Sequence, residues 1–179
     1  MIVLAGASAS GKTEVAKMLA LKYGIVKAIT TTTRDMRVGE VNGRDYFFVS
    51  KEHFKEMIEQ KLFVEFTTYN ENFYGSTKDQ IAENKCVVVD PAGLKAYIAL
   101  NDPNIMTFFL DSKEETRRKR MELRGDGEEK IKKRLLHDKE AFKPENIPCV
   151  DFHIDSETTT VEEVADRIYK IYQEFLANK

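Results

Sequence analysis

Residues Gly6-Ala7-Ser8-Ala9-Ser10-Gly11-Lys12-Thr13 form a run of small side chains closed by a cation and a hydroxyl. Small residues this dense cost backbone entropy on folding, glycine most of all, so the backbone itself must approach something closely. The spacing is G-x-x-x-x-G-K-[ST]. Successive amides of such a loop point inward and form a nest for phosphate oxygens. A helix starting near Gly11 adds unpaired N–H groups and the positive end of its dipole. Lys12 can then reach the β and γ phosphates of a nucleoside triphosphate, while the Thr13 hydroxyl can ligate Mg²⁺.

Further groups suit a second anion. Arg34 and Arg37 lie in a glycine-containing loop, and two guanidinium forks match a dianionic monophosphate because each binds two oxygens. Glu65 sits in an otherwise apolar strand pattern, which is costly unless a donor pairs with it. Guanine offers adjacent N1–H and N2–H₂ donors that one carboxylate can accept together. Arg117, Arg120 and Arg124 fall at i, i+3 and i+7 and line one helix face. Beside a phosphate loop, such a face meets the charge that spreads over the oxygens in phosphoryl transfer. Plainer roles stay open for several of these: a surface ion pair for Glu65, core packing for Tyr46 and Tyr74, a helix cap for Asp90. His53, His137 and His153 have no companion at catalytic spacing, and no chemistry is assigned to them.

The elements that must hold these groups alternate. Ile2–Ala5 reads as a buried strand and Thr13–Tyr23 as a helix stopped by Gly24. Val26–Thr30 is a second strand, and the polar stretch Thr31–Arg44 a loop. Tyr46–Val49 is extended, Ser50 caps a helix carrying Phe54, Met57 and Ile58, and Leu62–Thr68 and Phe73–Tyr74 read as strands. Cys86–Val89 and Ile105–Leu110 are apolar strands, the first ending in an Asp90-Pro91 helix start. Capping boxes at Ser112/Glu115 and Thr160/Glu163 open helices, the second running Val161–Leu176. A basic helix covers about Lys130–Phe142, and Val150–Ile154 is a last strand. This order predicts an α/β fold with a mainly parallel sheet covered on both faces. One domain is expected, with a core of residues 1–30, 82–115 and 138–179, an insert at 31–81 and a lid at about 116–137.

Composition agrees with a soluble globular protein: 42% hydrophobic, 32% charged, net charge −2. That balance excludes a general polyanion binder, although Lys113–Arg134 holds ten basic residues against six acidic ones. No apolar run approaches a bilayer span, and Cys86 and Cys149 lack metal or redox spacing. A cytoplasmic protein with reduced thiols is expected, acting without nucleic acid or membrane.

The phosphate loop and the segment that follows it resemble the guanylate kinase family. The family pattern T-[ST]-R-x-x-R-x-G-E-x-x-G-x-D-Y-x-F-V-S is present from Thr32-Thr33-Arg34 to Ser50, and the match continues through Phe54, Glu65 and Tyr74-Gly75-Ser76. The resemblance implies a P-loop core with an inserted monophosphate-binding lobe and a short lid. It implies ATP as donor, GMP (and dGMP) as acceptor, Mg²⁺ as cofactor, and a monomer or homodimer. Arg34, Arg37, Tyr46 and Tyr74 would hold the GMP phosphate; Glu65, with Thr30 or Ser76, would read the guanine edge. Asp90 would complete that pocket and, with Thr13, is a candidate for the metal. Arg120, Arg124 and Arg134 would close over the phosphates, making Lys12, Arg34 and these three the catalytic set. Departures from the family pattern are Ala7 and Ala9 in the loop, Val88 in place of a carboxylate, a slightly shorter lid between Arg124 and Arg134, and Asp155 in place of an asparagine. Of two other readings, a protein-interaction module is disfavoured by the intact Lys12, and another monophosphate acceptor is disfavoured by Glu65.

Overall fold

Strands that are apolar at every position need cover on both faces, and the computed structural model of this chain, which describes residues 1–178, supplies it. The elements run β1 (Ile2–Ala5), α1 (Lys12–Tyr23), β2 (Val26–Lys27), β3 (Thr31–Thr32), β4 (Phe47–Phe48), α2 (Lys51–Glu59), β5 (Phe63–Tyr69) and β6 (Asn72–Thr77). They continue with β7 (Lys85–Val88), α3 (Pro91–Ala99), β8 (Met106–Asp111), α4 (Glu114–Leu123), α5 (Glu128–Ala141), β9 (Phe152–Asp155) and α6 (Val161–Ala177). Lys179, which the expected core includes, lies outside the described residues.

Five strands make a parallel sheet in the order β2-β7-β1-β8-β9. Ile2 is in register with Cys86 on one side and Met106 on the other, so β1 is central. Its alternate residues face opposite layers. Ile2 and Leu4 pack with Val15 and Leu19 of α1 and Ile168 and Tyr172 of α6. Met1, Val3 and Ala5 pack with Leu94 and Tyr97 of α3. The α/β fold is therefore as the sequence implies, and the loop after β1 leaves the sheet at its carboxyl edge, where α/β folds bind ligands. No described helix is long and apolar enough to cross a membrane.

The insert builds a second sheet, β4-β3-β6-β5. The expected strand Val26–Thr30 does not persist. It pairs only through Val26–Lys27 in the first sheet, and the chain crosses to the second at Thr31–Thr32, inside the stretch read as a loop. Two strands of only two residues each, Val26–Lys27 and Thr31–Thr32, carry too little periodicity to reveal that switch. The Ser112/Glu115 capping box is also corrected. Lys113 is the N-cap of α4, which puts Ser112 one residue too early, and its hydroxyl is buried without a partner. The Thr160/Glu163 box forms as expected.

The small core of the insert is aromatic: Phe54 stacks on Phe63 at 4.3 Å and on Phe73 at 5.3 Å between centroids. A bulge between Phe63 and Glu65 shifts the pairing, so that Phe63 faces Thr77 while Glu65 faces Ser76. Bulges of this kind re-aim one side chain. The aromatic layer closes directly over Gly75, where an added Cβ would stand 2.6 Å from the Phe63 ring and 3.0 Å from the Glu65 carbonyl. Gly75→Ala should therefore cost roughly 1–3 kcal/mol by overpacking. Urea unfolding at fixed pH checks it, and an unchanged midpoint would mean the Phe63 ring can swing aside freely.

Candidate active site

Between β1 and α1 the backbone takes angles that side chains resist. Gly6 has φ 143° and Gly11 φ 99°, and a Cβ on Gly6 would meet the Leu110 carbonyl at 2.8 Å. Ala9 adopts φ 61° despite its methyl group, the strain expected where this loop departs from glycine. The methyl is not idle: it packs against Met121, Ile131 and Leu135 of α4 and α5. Inside the loop, the Lys12 ammonium donates to the carbonyls of Gly6 (2.6 Å) and Ala7 (2.8 Å) and approaches Ser10 Oγ at 3.5 Å. Burial lowers Lys12 to about 8, against which the charge of Asp138 pulls upward.

Two cavities meet at this lysine. The first, about 440 Å³, is lined by Ala9–Val15, Arg120, Arg124, Ser156, Thr159 and the start of α6. The second, about 580 Å³, is lined by Gly6, Ser8, Lys12, Val88–Ala92, His137, Asp138 and Phe142 among others. Asp155, which precedes the cavity-lining Ser156 but does not itself line the cavity, uses its carboxylate on its own turn, accepting from Glu157 N–H and Thr158 Oγ1.

The arginines of α4 and α5 are all engaged. Arg120 donates to the carbonyls of Ala9 (3.3 Å) and Ser156, tying α4 to the loop and to the turn before α6. Arg124 pairs with Asp126, which Arg134 also approaches at 3.6 Å, so one carboxylate gathers both. Arg117, read from spacing as a third member of that face, is instead buried and paired with Asp138 at 2.6 Å.

In the insert, Arg34 is gripped by both Glu40 oxygens (2.8 and 3.1 Å) and lies over Tyr46 and Phe48, 5.4 and 5.6 Å from their centroids. Tyr74 stands edge-on to Tyr46 at 6.3 Å. Arg34, Tyr46 and Tyr74 are thus brought together. Arg37 is not: its side chain is exposed, and only its backbone N–H joins the cluster, donating to Glu40 at 2.8 Å. Thr30 is half-buried and accepts from Phe47 N–H through its carbonyl.

Burial pushes the Glu65 carboxyl above the usual range; contact with Ser76 opposes that shift, and the charge of Asp90 adds to it. Ser76, through its hydroxyl and its backbone N–H, is the donor that meets this carboxylate. Tyr97, absent from the sequence reading, buries its hydroxyl close to Ser76 and Glu65. Asp90 caps α3, accepting from Gly93 N–H at 2.8 Å, and borders the second cavity. Among the described residues no three metal-ligating side chains cluster. Mg²⁺ needs no such cage, since it is commonly held by one or two protein oxygens plus phosphates and water. The hydroxyl of Thr13 and the carboxylate of Asp90 are oxygen donors of that type.

Sequence reasoning also missed Asp138. The available signal was its place three residues after Leu135 and seven after Ile131, a carboxylate on the apolar face of α5.

Residues 1–176 match the sequence profile of the family described as "Guanylate kinase". A guanylate kinase of Prochlorococcus marinus is 33% identical over 181 residues, 97% of this chain and 96% of its own length. One from Wolbachia pipientis is 31% identical over 180 residues, 95% of this chain and 89% of its own. The crystal structure of guanylate kinase from Anaplasma phagocytophilum superposes with a TM-score of 0.62 at 24% identity, over 97% of this chain and 84% of that one. That likeness shows a shared fold.

The buried cation has a measurable cost. Lys12 titrates near 10.5 when unfolded and near 8 when folded, a difference of about 3 kcal/mol at most. Because the folded value is the lower one, the penalty is complete below pH 8 and fades as pH rises to 10.5. Lys12→Met should therefore stabilise the ligand-free fold at pH 7 by about 1–3 kcal/mol. The gain should shrink between pH 8 and 10.5; a gap independent of pH would show that Lys12 is solvated normally.

Proposed function

The chain belongs to the guanylate kinase family, and on that premise we propose how its residues carry ATP-dependent phosphorylation of GMP. The enzyme transfers the γ-phosphoryl group of ATP to the phosphate of GMP, giving GDP and ADP; dGMP, which keeps the same base edge, is a second acceptor. An oxygen of the acceptor phosphate attacks the γ-phosphorus in line, and the bond to the β,γ-bridging oxygen breaks. No protein nucleophile is needed, so catalysis is positioning and charge neutralisation.

One observation carries the reading: Lys12 borders both cavities, the second of which extends to Asp90. A donor in the first would turn its γ-phosphate toward the Asp90 side, and the insert residues, which line neither cavity, would bring the acceptor there on closure. The amides of Ala9–Thr13 would hold the triphosphate, the Ser8 amide being taken by Asp138, and Lys12 would exchange loop carbonyls for phosphate oxygens. Arg34, already fixed by Glu40, would take the acceptor phosphate with Tyr46 and Tyr74. Arg37 joins them by a movement of its exposed side chain. Glu65, with Ser76 or Thr30, would accept the guanine N1–H and N2–H₂, which add to the hydrogen bonds Ser76 already gives it, and Asp90 closes that pocket. Arg120 already lines the donor cavity, while Arg124 and Arg134 would leave Asp126 for the phosphates as the lid closes. Mg²⁺ accompanying ATP would take the Thr13 hydroxyl, with Asp90 as a further oxygen donor, and supplies charge neutralisation at the phosphates. In this scheme residues 1–30, 82–115 and 138–179 form the core, 31–81 the acceptor lobe and about 116–137 the lid. Closure of both appendages excludes water that would otherwise hydrolyse ATP.

A panel of AMP, GMP, dGMP, UMP, CMP and dTMP in a coupled assay of ADP release tests the substrate reading. GMP should be among the best acceptors, and a clear preference for a pyrimidine would defeat the role given to Glu65. Lys12→Ala should reduce kcat by at least about 10²–10³-fold without loss of fold by circular dichroism. Glu65→Ala should lower kcat/KM for GMP roughly 10–100-fold while the KM for ATP stays put.

A further inference from the structure

We propose that Arg117 and Asp138 are positioning residues of the phosphate loop, clamping the Ser8 peptide from the two lid helices and so setting the affinity for ATP. The proposal rests on the assignment of Gly6–Thr13 to the donor triphosphate and extends it to two side chains outside the loop.

The contacts converge on one residue. Asp138 Oδ2 accepts the Ser8 backbone N–H at 2.9 Å, and Oδ1 accepts the Ser8 hydroxyl at 3.0 Å. Arg117 Nη1 donates to Asp138 Oδ2 at 2.6 Å and reaches the Ser8 carbonyl at 3.4 Å. Ser8 is thereby held at its donor, its acceptor and its side chain by groups 109 and 130 residues away in sequence. Next along the loop, Arg120 from the same helix holds the Ala9 carbonyl. Two successive peptides of the loop therefore take their orientation from α4 and α5.

Stability alone is a poor account of this pair. Both side chains are buried, at 9% and 5% exposure, and a buried ion pair commonly adds little over apolar residues of similar volume. Arg117 even leaves its Nε buried without a partner. What the pair does uniquely is to occupy every polar group of Ser8, whose neighbours must present their amides to phosphate. It also sits beside Lys12: Asp138 raises the lysine's tendency to stay charged and Arg117 lowers it, with opposite signs. Removing both charges together therefore leaves the field at Lys12 less altered than removing either one, and isolates the effect of the hydrogen bonds.

The test compares Asp138→Ala, Arg117→Leu, the double variant Arg117→Leu/Asp138→Ala, and Asp138→Asn with the unmodified protein. ATP and GMP dissociation constants are measured by calorimetry, and thermal midpoints by circular dichroism. Each single variant should lose thermal stability because it strands a buried charge. The double variant should recover most of that loss yet bind ATP about tenfold more weakly, with GMP affinity changed less than about twofold. Asp138→Asn keeps a carbonyl acceptor for the Ser8 N–H and can offer its NH₂ to the Ser8 hydroxyl oxygen in place of the second acceptor, so it should bind ATP within about threefold of the unmodified protein. If ATP affinity returns in step with the midpoint, the pair is structural and the proposal is wrong. Equal weakening by Asn and Ala overturns it too, and this comparison, made well below both midpoints, decides the matter even if the double variant folds poorly. Unmodified protein that binds ATP alongside variants that bind it equally well rejects the clamp alone, whereas unmodified protein that binds no ATP rejects the donor site and the clamp together.

Discussion

A lysine withdrawn from water before its anion has arrived is the constraint that shapes the rest of this molecule. Lys12 borrows the carbonyls of Gly6 and Ala7 from the loop in which it sits, and those carbonyls can turn inward only because the backbone takes left-handed angles at Gly6, Ala9 and Gly11. A loop so bent has no regular pairing of its own. It is held at one end by the central strand β1 and at the other by α1, and in the middle by whatever α4 and α5 bring to it. The helices after β8 thus serve the loop twice, as a wall of the first cavity and as a mould for its backbone.

The insert follows a different logic. Its four-stranded sheet is too small to bury much, so a compact aromatic layer around Phe54 does most of the packing. The layer passes close over Gly75, and the bulge next to Phe63 turns Glu65 to face Ser76 instead of following the strand's regular alternation. The packing of the insert and the placement of Glu65 are therefore set by the same few residues. The chain enters this lobe after a crossing of only a few residues between Lys27 and Thr31, which leaves the two sheets joined but free to be separately organised.

Much of this was legible in the amino-acid order. Ile2–Ala5 is apolar throughout, and Met106–Leu110 is apolar but for Thr107, because both faces of the sheet are covered, and Gly24 and Thr160 mark helix ends through local geometry alone. The phosphate loop could be read because its chemistry depends on neighbours in sequence. What stayed hidden depends on partners far away. Nothing near Thr31 announces a strand whose mates are Phe47 and Gly75. Ser112 and Glu115 satisfy a capping pattern, yet the helix begins one residue later, a shift that tertiary packing decides. Arg117 has the spacing of a lid arginine, and only Asp138, on another helix, shows that it faces inward.

Ala9 carries a lesson about modularity. A residue with a side chain at φ 61° would ordinarily be a small flaw in such a loop, yet here its methyl group is seated among Met121, Ile131 and Leu135. The loop's curvature is in this sense co-authored by helices more than a hundred positions downstream. Gly6–Thr13 is consequently not a portable cassette: transplanted into a scaffold without that apolar seat, the same eight letters would relax to a different curve, and drift in the distant helices can retune the loop without altering a letter of it.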